Sequence, residues 1–337
     1  MQKRVLIMGS ADSFFTRPFE RAFQALGFEC ALFPVRHGMV YSNKQLRRLI
    51  RVFPHLRFIK SWSVNRENRH LIKYVAEYKP WLVFGIKAET IPPETIEKIK
   101  KMGVITALFF NDLIDHWELI KKLAPAYDYF FNQDHLIVSK LRDELGLRNV
   151  YYMAHATEPT DDPFKSRNNK YPIAFIGTHD IKFYPNREKY LLAINDLDLH
   201  IWGTDGWANT PLKNCFHGRS VGDQRFDIYG SSKIVIDINW DIMPAEGLSN
   251  RPFEVAGCGA MFMTDHVRKD IKRAYQEGRE VVLFKDEHEL REKVIYYLEH
   301  EDERKKIAQA GYQRTVAEHT YDNRVRQIMN TINDESR

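Results

Sequence analysis

Short apolar runs with strand character alternate with helix-period patterns along almost all of this 337-residue chain, and that alternation most narrows what it can fold into. Residues 4–8 form an apolar run ending at Gly9-Ser10. A helical pattern follows through Phe19, Ala22, Phe23 and Leu26, and Gly27 is placed to stop it. Strand-like runs at 29–34, 81–85, 104–110, 127–131 and 150–153 are separated by helical stretches at 66–78, 93–101, 116–122 and 134–145. The stretch 157–170 is polar, holds Pro159 and Pro163, has no periodicity and reads as a linker. A second series then begins. Its strands are expected at 173–176, 199–202, 234–238, 260–264 and 281–284, with a short one starting at Phe216. Its helices are expected at 186–195 and 226–229, and from 287 to the end.

The expected fold class is α/β: two Rossmann-like doubly wound domains facing each other across a cleft. The first would span 1–156 and the second 171–320, with a final helix at 321–337 free to pack back on the first. Hydrophobic residues at 44% and aromatics at 13% supply enough apolar material for two cores. No run approaches the ~20 apolar residues of a membrane span, and the start reads as a buried strand rather than a signal peptide. Cys30, Cys215 and Cys258 are odd in number and widely spaced, which indicates neither a disulfide framework nor a zinc site and suits a reducing cytoplasm.

The run from Glu246 to Ala260 carries the most chemistry. Glu246 and Glu254 flank a Gly/Ser/Asn turn and Pro252, a residue suited to the first turn of a helix. With a strand on either side this is a βαβ unit, whose ligands bind beyond the carboxyl ends of the strands. A helix start there would offer unpaired N–H groups to phosphate. Arg251 could add a charge-assisted bond, and carboxylates could take sugar hydroxyls. Blander readings stand beside these: Glu254 as a complement to the helix dipole, Glu246 as loop surface, Arg251 as an exposed arginine. Gly257 and Gly259 read as packing residues, and Asp265 as a cap for the next helix. The turn Gly177-Thr178 follows the first strand of the second half and so would reach the phosphate crevice. Arg187, just beyond, reads equally as a surface residue.

In the first half, Asp112 at a strand end is the candidate general base, or else the N-cap of the helix at 116–122. His155, Asp12 and His37 are weaker candidates, and a structural role suits His155 better. No His/Cys/Asp group has the spacing of a metal site, so no metal or other cofactor is expected. Charge is concentrated in one place: residues 44–73 carry +8 through Lys44, Arg47, Arg48, Arg51, Arg57, Lys60, Arg66, Arg69 and Lys73 against Glu67, leaving the rest at −3. Apolar residues and Trp62 interleave these charges. The segment could rest on an anionic membrane surface such as the inner membrane face, steer an anionic acceptor, or be a solvated face.

The second half resembles the glycosyltransferase family 1-like domain of the spore-maturation CgeB-type proteins, a branch of the GT-B glycosyltransferases. The matching stretches include Phe175-Ile-Gly-Thr, Leu199-His-Ile-Trp-Gly203, Phe216-His-Gly218, Ser232-Lys-Ile-Val-Ile-Asp-Ile238, Gly247-Leu-Ser-Asn-Arg-Pro-Phe-Glu254 and His319-Thr-Tyr-Asp-Asn-Arg324, covering nearly all of 172–330. The resemblance implies a donor site for a nucleoside diphosphate sugar, UDP-linked by preference, with Glu254 on the ribose and Glu246 on the sugar ring. It places Ser249, Asn250 and Arg251 at the diphosphate, and His217 to Arg219 near the base. It implies transfer with retention, without a bound metal, to an acceptor that could be a glycan, a lipid-linked precursor, a protein or a modified DNA base. Sugar-nucleotide epimerases of the same fold, and a non-catalytic assembly protein that binds nucleotide sugar, remain alternatives.

Overall fold

The structure is a computed structural model that describes all residues except 1–2, 11–13, 36–56, 166–168, 221, 242–243 and 336–337. The chain forms two compact units, Met1–Met153 with Tyr321–Arg337, and Ala154–Thr320. Each is built on one parallel sheet flanked by helices, which is the α/β class expected.

The sheet of the first unit has the order β2-β1-β3-β4-β5-β6. Its strands are β1 (Arg4–Gly9), β2 (Glu29–Pro34), β3 (Leu82–Ile86), β4 (Ile105–Phe109), β5 (Tyr129–Asn132) and β6 (Val150–Tyr152). Every residue of β3 is buried, as a parallel strand covered on both faces requires, and so its sequence is continuously apolar rather than alternating. Helix α1 (Thr16–Ala25) buries Phe19, Ala22 and Phe23 along one stripe. Its Phe19 meets Phe84 and Tyr321 edge-on, both at 5.0 Å. Helix α2 (Arg57–Tyr78) starts well before residue 66, inside the basic segment, and its buried residues include Leu71 and Val75. It is followed by α3 (Pro93–Lys100), α4 (Trp117–Leu123) and α5 (His135–Leu145). Asp134 caps α5 by accepting from the Leu136 N–H at 2.8 Å, and Gly146 ends it with φ of 65°. Part of the basic segment, with Lys44, Arg47, Arg48 and Arg51, lies outside the described residues, as do Asp12 and His37. Among the described residues, no helix is long and apolar enough to cross a membrane.

The second unit holds β7 (Tyr171–Gly177), β8 (Leu199–Gly203), β9 (Ser232–Asp237), β10 (Met261–Asp265) and β11 (Val282–Phe284), in the order β11-β10-β9-β7-β8. The chain leaves β7 for β8 on one side and returns to β9 on the other. The strand order therefore reverses between β7 and β9, and the crevice beyond their carboxyl ends is where such a sheet holds a ligand. Its helices are α6 (Asn186–Leu192), α7 (Gln224–Gly230), α8 (Arg251–Gly257), α9 (Ile271–Ala274), α10 (Glu287–Glu299) and α11 (Glu301–Glu318). At Phe216 there is a single bridge to Ile201 rather than a strand, since the chain only brushes the sheet edge before turning at Gly218, where φ is 91°. The final helix, α12 (Tyr321–Glu335), belongs to the first unit, where Gln327 donates to the Tyr152 carbonyl at 2.7 Å.

The segment at 157–165 is held by the second unit rather than spanning open space. Thr157 N–H donates to the His319 carbonyl and Thr160 N–H to the Gly257 carbonyl, each at 3.0 Å. A side chain at Gly257 would meet Thr157 at 2.8 Å, and one at Gly259, where φ is +72°, would meet Pro163 at 3.0 Å. Those two glycines are indeed packing residues, and what they pack against is this strap. Its polar residues look like a linker because backbone bonds and single contacts, such as Phe164 on Tyr312, hold it without any periodic apolar pattern.

Candidate functional site

Beyond β7 and β9 the two strand-end loops are tied together by Arg187. Far from being a surface residue, it is 5% exposed. Its Nη1 donates to the Thr178 carbonyl at 2.8 Å and its Nε to the Ile238 carbonyl at 3.0 Å. The Tyr184 ring lies against its guanidinium at 3.4 Å. Gly177 has no room for a side chain: a Cβ would meet the Phe175 ring at 2.7 Å and Arg187 at 3.1 Å. Trp207 Nε1 donates to the Gly177 carbonyl at 2.8 Å and fixes the turn. Gly177 and Thr178 thus shape the crevice floor with backbone.

Helix α8 brings the next set. Ser249 Oγ accepts from the Arg251 N–H at 3.3 Å, and the Asn250 side-chain amide donates to Glu254. Glu254 is 5% exposed and receives a two-pronged guanidinium from Arg225, Nε to Oε2 at 3.0 Å and Nη2 to Oε1 at 2.9 Å. Three donors on a carboxylate with about four acceptor sites leave room for a ligand hydroxyl. Arg251 donates to Asp237, the buried last residue of β9, and also bonds the Tyr229 hydroxyl. Burial pulls the Arg251 pKa down, but Asp237 and Tyr229 outweigh it and raise the pKa overall. Burial, and then the charge of Arg251, push Arg187 down to about 10 against the pull of Asp237. Arg251 therefore pairs with Asp237 directly, while Arg187 bonds backbone carbonyls and feels the charges of Asp237 and Asp265 at longer range. Helix α8 has seven residues, so these side chains, more than its short dipole, set the local charge.

Glu246 lies on the adjoining loop, with Lys269 and Arg273 each at 3.1 Å from its carboxylate and the Asp270 N–H bonded to its carbonyl. Partial burial pulls its pKa up, yet the bonds from Lys269 and Arg273 prevail and hold it below the usual carboxylate range. Asp265 caps no helix. It is 3% exposed and clamps the Asn239 side chain at 3.1 Å and the Val267 N–H at 3.2 Å, while α9 starts later. The burial that encloses it raises its pKa.

His217 turns away from this crevice. Its Nε2 lies 2.7 Å from His200 Nδ1, and its ring stacks on Trp202 and reaches toward Tyr171, the first residue of β7. Burial and His200 lower its pKa. Arg219 is exposed and bonds Asp205 at 3.2 Å. Arg225, Asp237 and Tyr229 were missed by sequence reasoning. Asp237 had a signal, a carboxylate ending an otherwise apolar strand; Arg225 had none, because only the fold brings it to Glu254.

In the first unit, Asp112 lines a cavity of about 260 Å³ with Ser10, Phe15, Lys87 and Asn111, beyond the ends of β1, β3 and β4. It is not an N-cap: a short turn over Ile114–His116 follows Leu113, with no side-chain cap. Instead Lys87 Nζ lies 2.6 Å from Asp112 and 3.3 Å from Glu89. Lys87 holds a left-handed backbone with φ of 62°, an uncommon conformation for a residue with a side chain. Ligand-type atoms of Glu89, Asp112 and His116 lie within 4.8 Å of one another, a set that the sequence spacing did not reveal because Glu89 comes from another loop. The Lys87 ammonium already supplies a cation there. His155 is buried in the second unit, 5% exposed.

Residues 187–330 match a family model described as glycosyl transferase-like. No curated protein matches the chain in sequence. Among solved structures, a glycosyltransferase from Rickettsia africae is similar at a TM-score of 0.67 and 12% identity, over 98% of this chain and 97% of that one. A sucrose-phosphate synthase from Thermosynechococcus elongatus gives 0.69 and 10% over 99% of both chains. The HepE protein of Anabaena, solved with UDP and glucose, gives 0.63 and 9%, over 99% of this chain and 100% of that one. The fold is that of GT-B glycosyltransferases, and the matched stretch is glycosyl transferase-like.

Proposed function

We propose that this chain, a glycosyltransferase by its matched domain, moves a sugar from a UDP-sugar to a hydroxyl acceptor, with retention and without a bound metal, as a cytoplasmic member of the CgeB-type branch. The observation that carries the reading is the pairing of Arg251 with the buried Asp237, beside the buried Glu254 that Arg225 clamps, at the switch point of the second sheet. A diphosphate would meet the Arg251 guanidinium there. Glu254 would take the ribose hydroxyls, with Arg225 fixing its orientation. Ser249 and Asn250 would stay as supports of α8. Glu246 would meet the sugar ring by exchanging a bond with Lys269 or Arg273.

In the transfer, the bond from the anomeric carbon to the diphosphate oxygen breaks as the acceptor oxygen bonds that carbon. Arg251 stabilises the charge that develops on the leaving diphosphate. The acceptor proton passes to that phosphate. The solved HepE complex holds UDP and glucose, which favours a UDP-linked donor here. The acceptor is a glycan, a lipid-linked precursor, a protein or a modified DNA base.

The test is to incubate the protein with a panel of UDP-sugars in excess chelator and follow the sugar by proton NMR. UDP release with the donor's anomeric configuration kept in the product, or in slowly formed free sugar, is expected. An isomerised donor with no release would identify an epimerase, and no reaction with any donor would oppose catalysis.

A further inference from the structure

At the amino ends of the second sheet, away from the crevice just described, lies a cavity of about 510 Å³. Its wall carries Lys165, Lys233, Arg304 and Lys305, and no carboxylate. These four cations come from three separate elements: the strap at 157–165, the start of β9, and α11. Lys233 and Asp237 sit near opposite ends of β9, so the cavity and the Arg251 site are separated by roughly 13 Å of strand. Among the described residues, neither the Lys165 nor the Lys233 side chain pairs with a carboxylate. Glu301 alone answers the group, 2.6 Å from Lys305 and 3.9 Å from Arg304. Its carboxyl is held below the usual range by Lys305, then Arg304, and at longer range Lys233. Arg304 is 3% exposed, and burial lowers its pKa.

The cavity wall is fixed by packing. Phe164 meets Tyr312 of α11 edge-on at 5.5 Å, and Tyr312 donates its hydroxyl to the Thr160 carbonyl at 2.9 Å. Holding this many like charges around a cavity costs self-repulsion that an anion removes. Guanidinium and ammonium groups from different directions suit phosphate oxygens. Phe164 and Ala308 add an apolar surface, and the volume exceeds what a diphosphate alone requires.

We propose that this cavity is a second anion site, which binds an organic ligand bearing two or more phosphate charges independently of the donor crevice. The probe is inorganic pyrophosphate, titrated calorimetrically into the full chain already saturated with UDP. One further equivalent of pyrophosphate is expected to bind, more weakly as salt is raised. The double variant Lys233→Glu, Lys305→Glu should bind it at least roughly tenfold more weakly, with its UDP affinity and unfolding transition unchanged. Arg251→Ala, by contrast, should leave the pyrophosphate isotherm intact. That keeps the two sites distinguishable: a chain that binds no UDP undermines the donor reading, while the pyrophosphate stoichiometry still reports on this cavity. Sedimentation with phosphatidylcholine vesicles, with and without phosphatidic acid, assigns the phosphate to a lipid headgroup if the double variant loses vesicle binding and to a free ligand if vesicles are ignored. Absence of pyrophosphate binding to the UDP-saturated chain, or equal binding by the folded double variant, overturns the proposal.

Discussion

Glu246 and Glu254 are both acids beside a short helix, yet the structure gives them different surroundings. Glu254 is almost wholly enclosed and held by Arg225 and Asn250, so its carboxylate is aimed before any ligand arrives. Glu246 is held from the outside by Lys269 and Arg273, whose side chains are 76% and 51% exposed. Such a pair is screened by water, and its contribution to stability is below ~1 kcal/mol. Its sign with pH follows from the lowered pKa of Glu246. The contribution is fully present above the ordinary carboxylate value of about 4.3 and is lost as pH falls through the lowered value in the folded chain. Urea unfolding of Glu246→Gln at a series of pH values should show a small deficit against the wild type at neutral pH that closes in acid. A deficit that instead widens toward acid would mean that the two cations do not hold this carboxylate.

At the scale of elements, the crevice depends on two loops lying back to back. A Cβ at Gly203 would come within 1.9 Å of the Gly177 carbonyl oxygen, and backbone cannot yield as a flexible side chain does. Gly203→Ala should therefore cost roughly 1–3 kcal/mol in chemical unfolding. Gly230→Ala, in the last turn of α7 with nothing within 4 Å of its Cβ, should be neutral or slightly stabilising. Equal behaviour of the two variants would contradict the packing of these loops. The central strands were readable from sequence because burial on both faces demands apolar runs, as in β3, and the partly exposed edge strand β2 also matches 29–34 residue for residue. The early start of α2 and the seat of the strap at 157–165 were not readable. In one, the helix begins inside the basic segment, where charges interrupt the apolar pattern; in the other, scattered backbone bonds and single side-chain contacts leave no periodic pattern.

For the molecule as a whole, the run from 246 to 260 was legible as a βαβ unit because its Gly/Ser/Asn turn, Pro252 and flanking apolar runs are local signals, and the structure places α8 between β9 and β10. Its inner partners were not. Arg187 reads as surface in sequence and is buried in the fold, and Arg225 reaches Glu254 from another helix. Pairings that depend on three-dimensional meeting leave no local spacing to detect. In the first unit the same limit hid Lys87, whose left-handed backbone places its ammonium between Glu89 and Asp112. Nucleotide binding beside Glu254 is central to the proposed transfer. Calorimetric titration of UDP and UDP-sugars into the wild type and Glu254→Ala, with thermal unfolding to establish that the variant is folded, tests it most directly. The wild type should bind, and the variant should lose about 1.5–3 kcal/mol of that affinity, roughly tenfold or more in Kd. No binding of any nucleotide to the wild type, or equal binding by a folded variant, would contradict it.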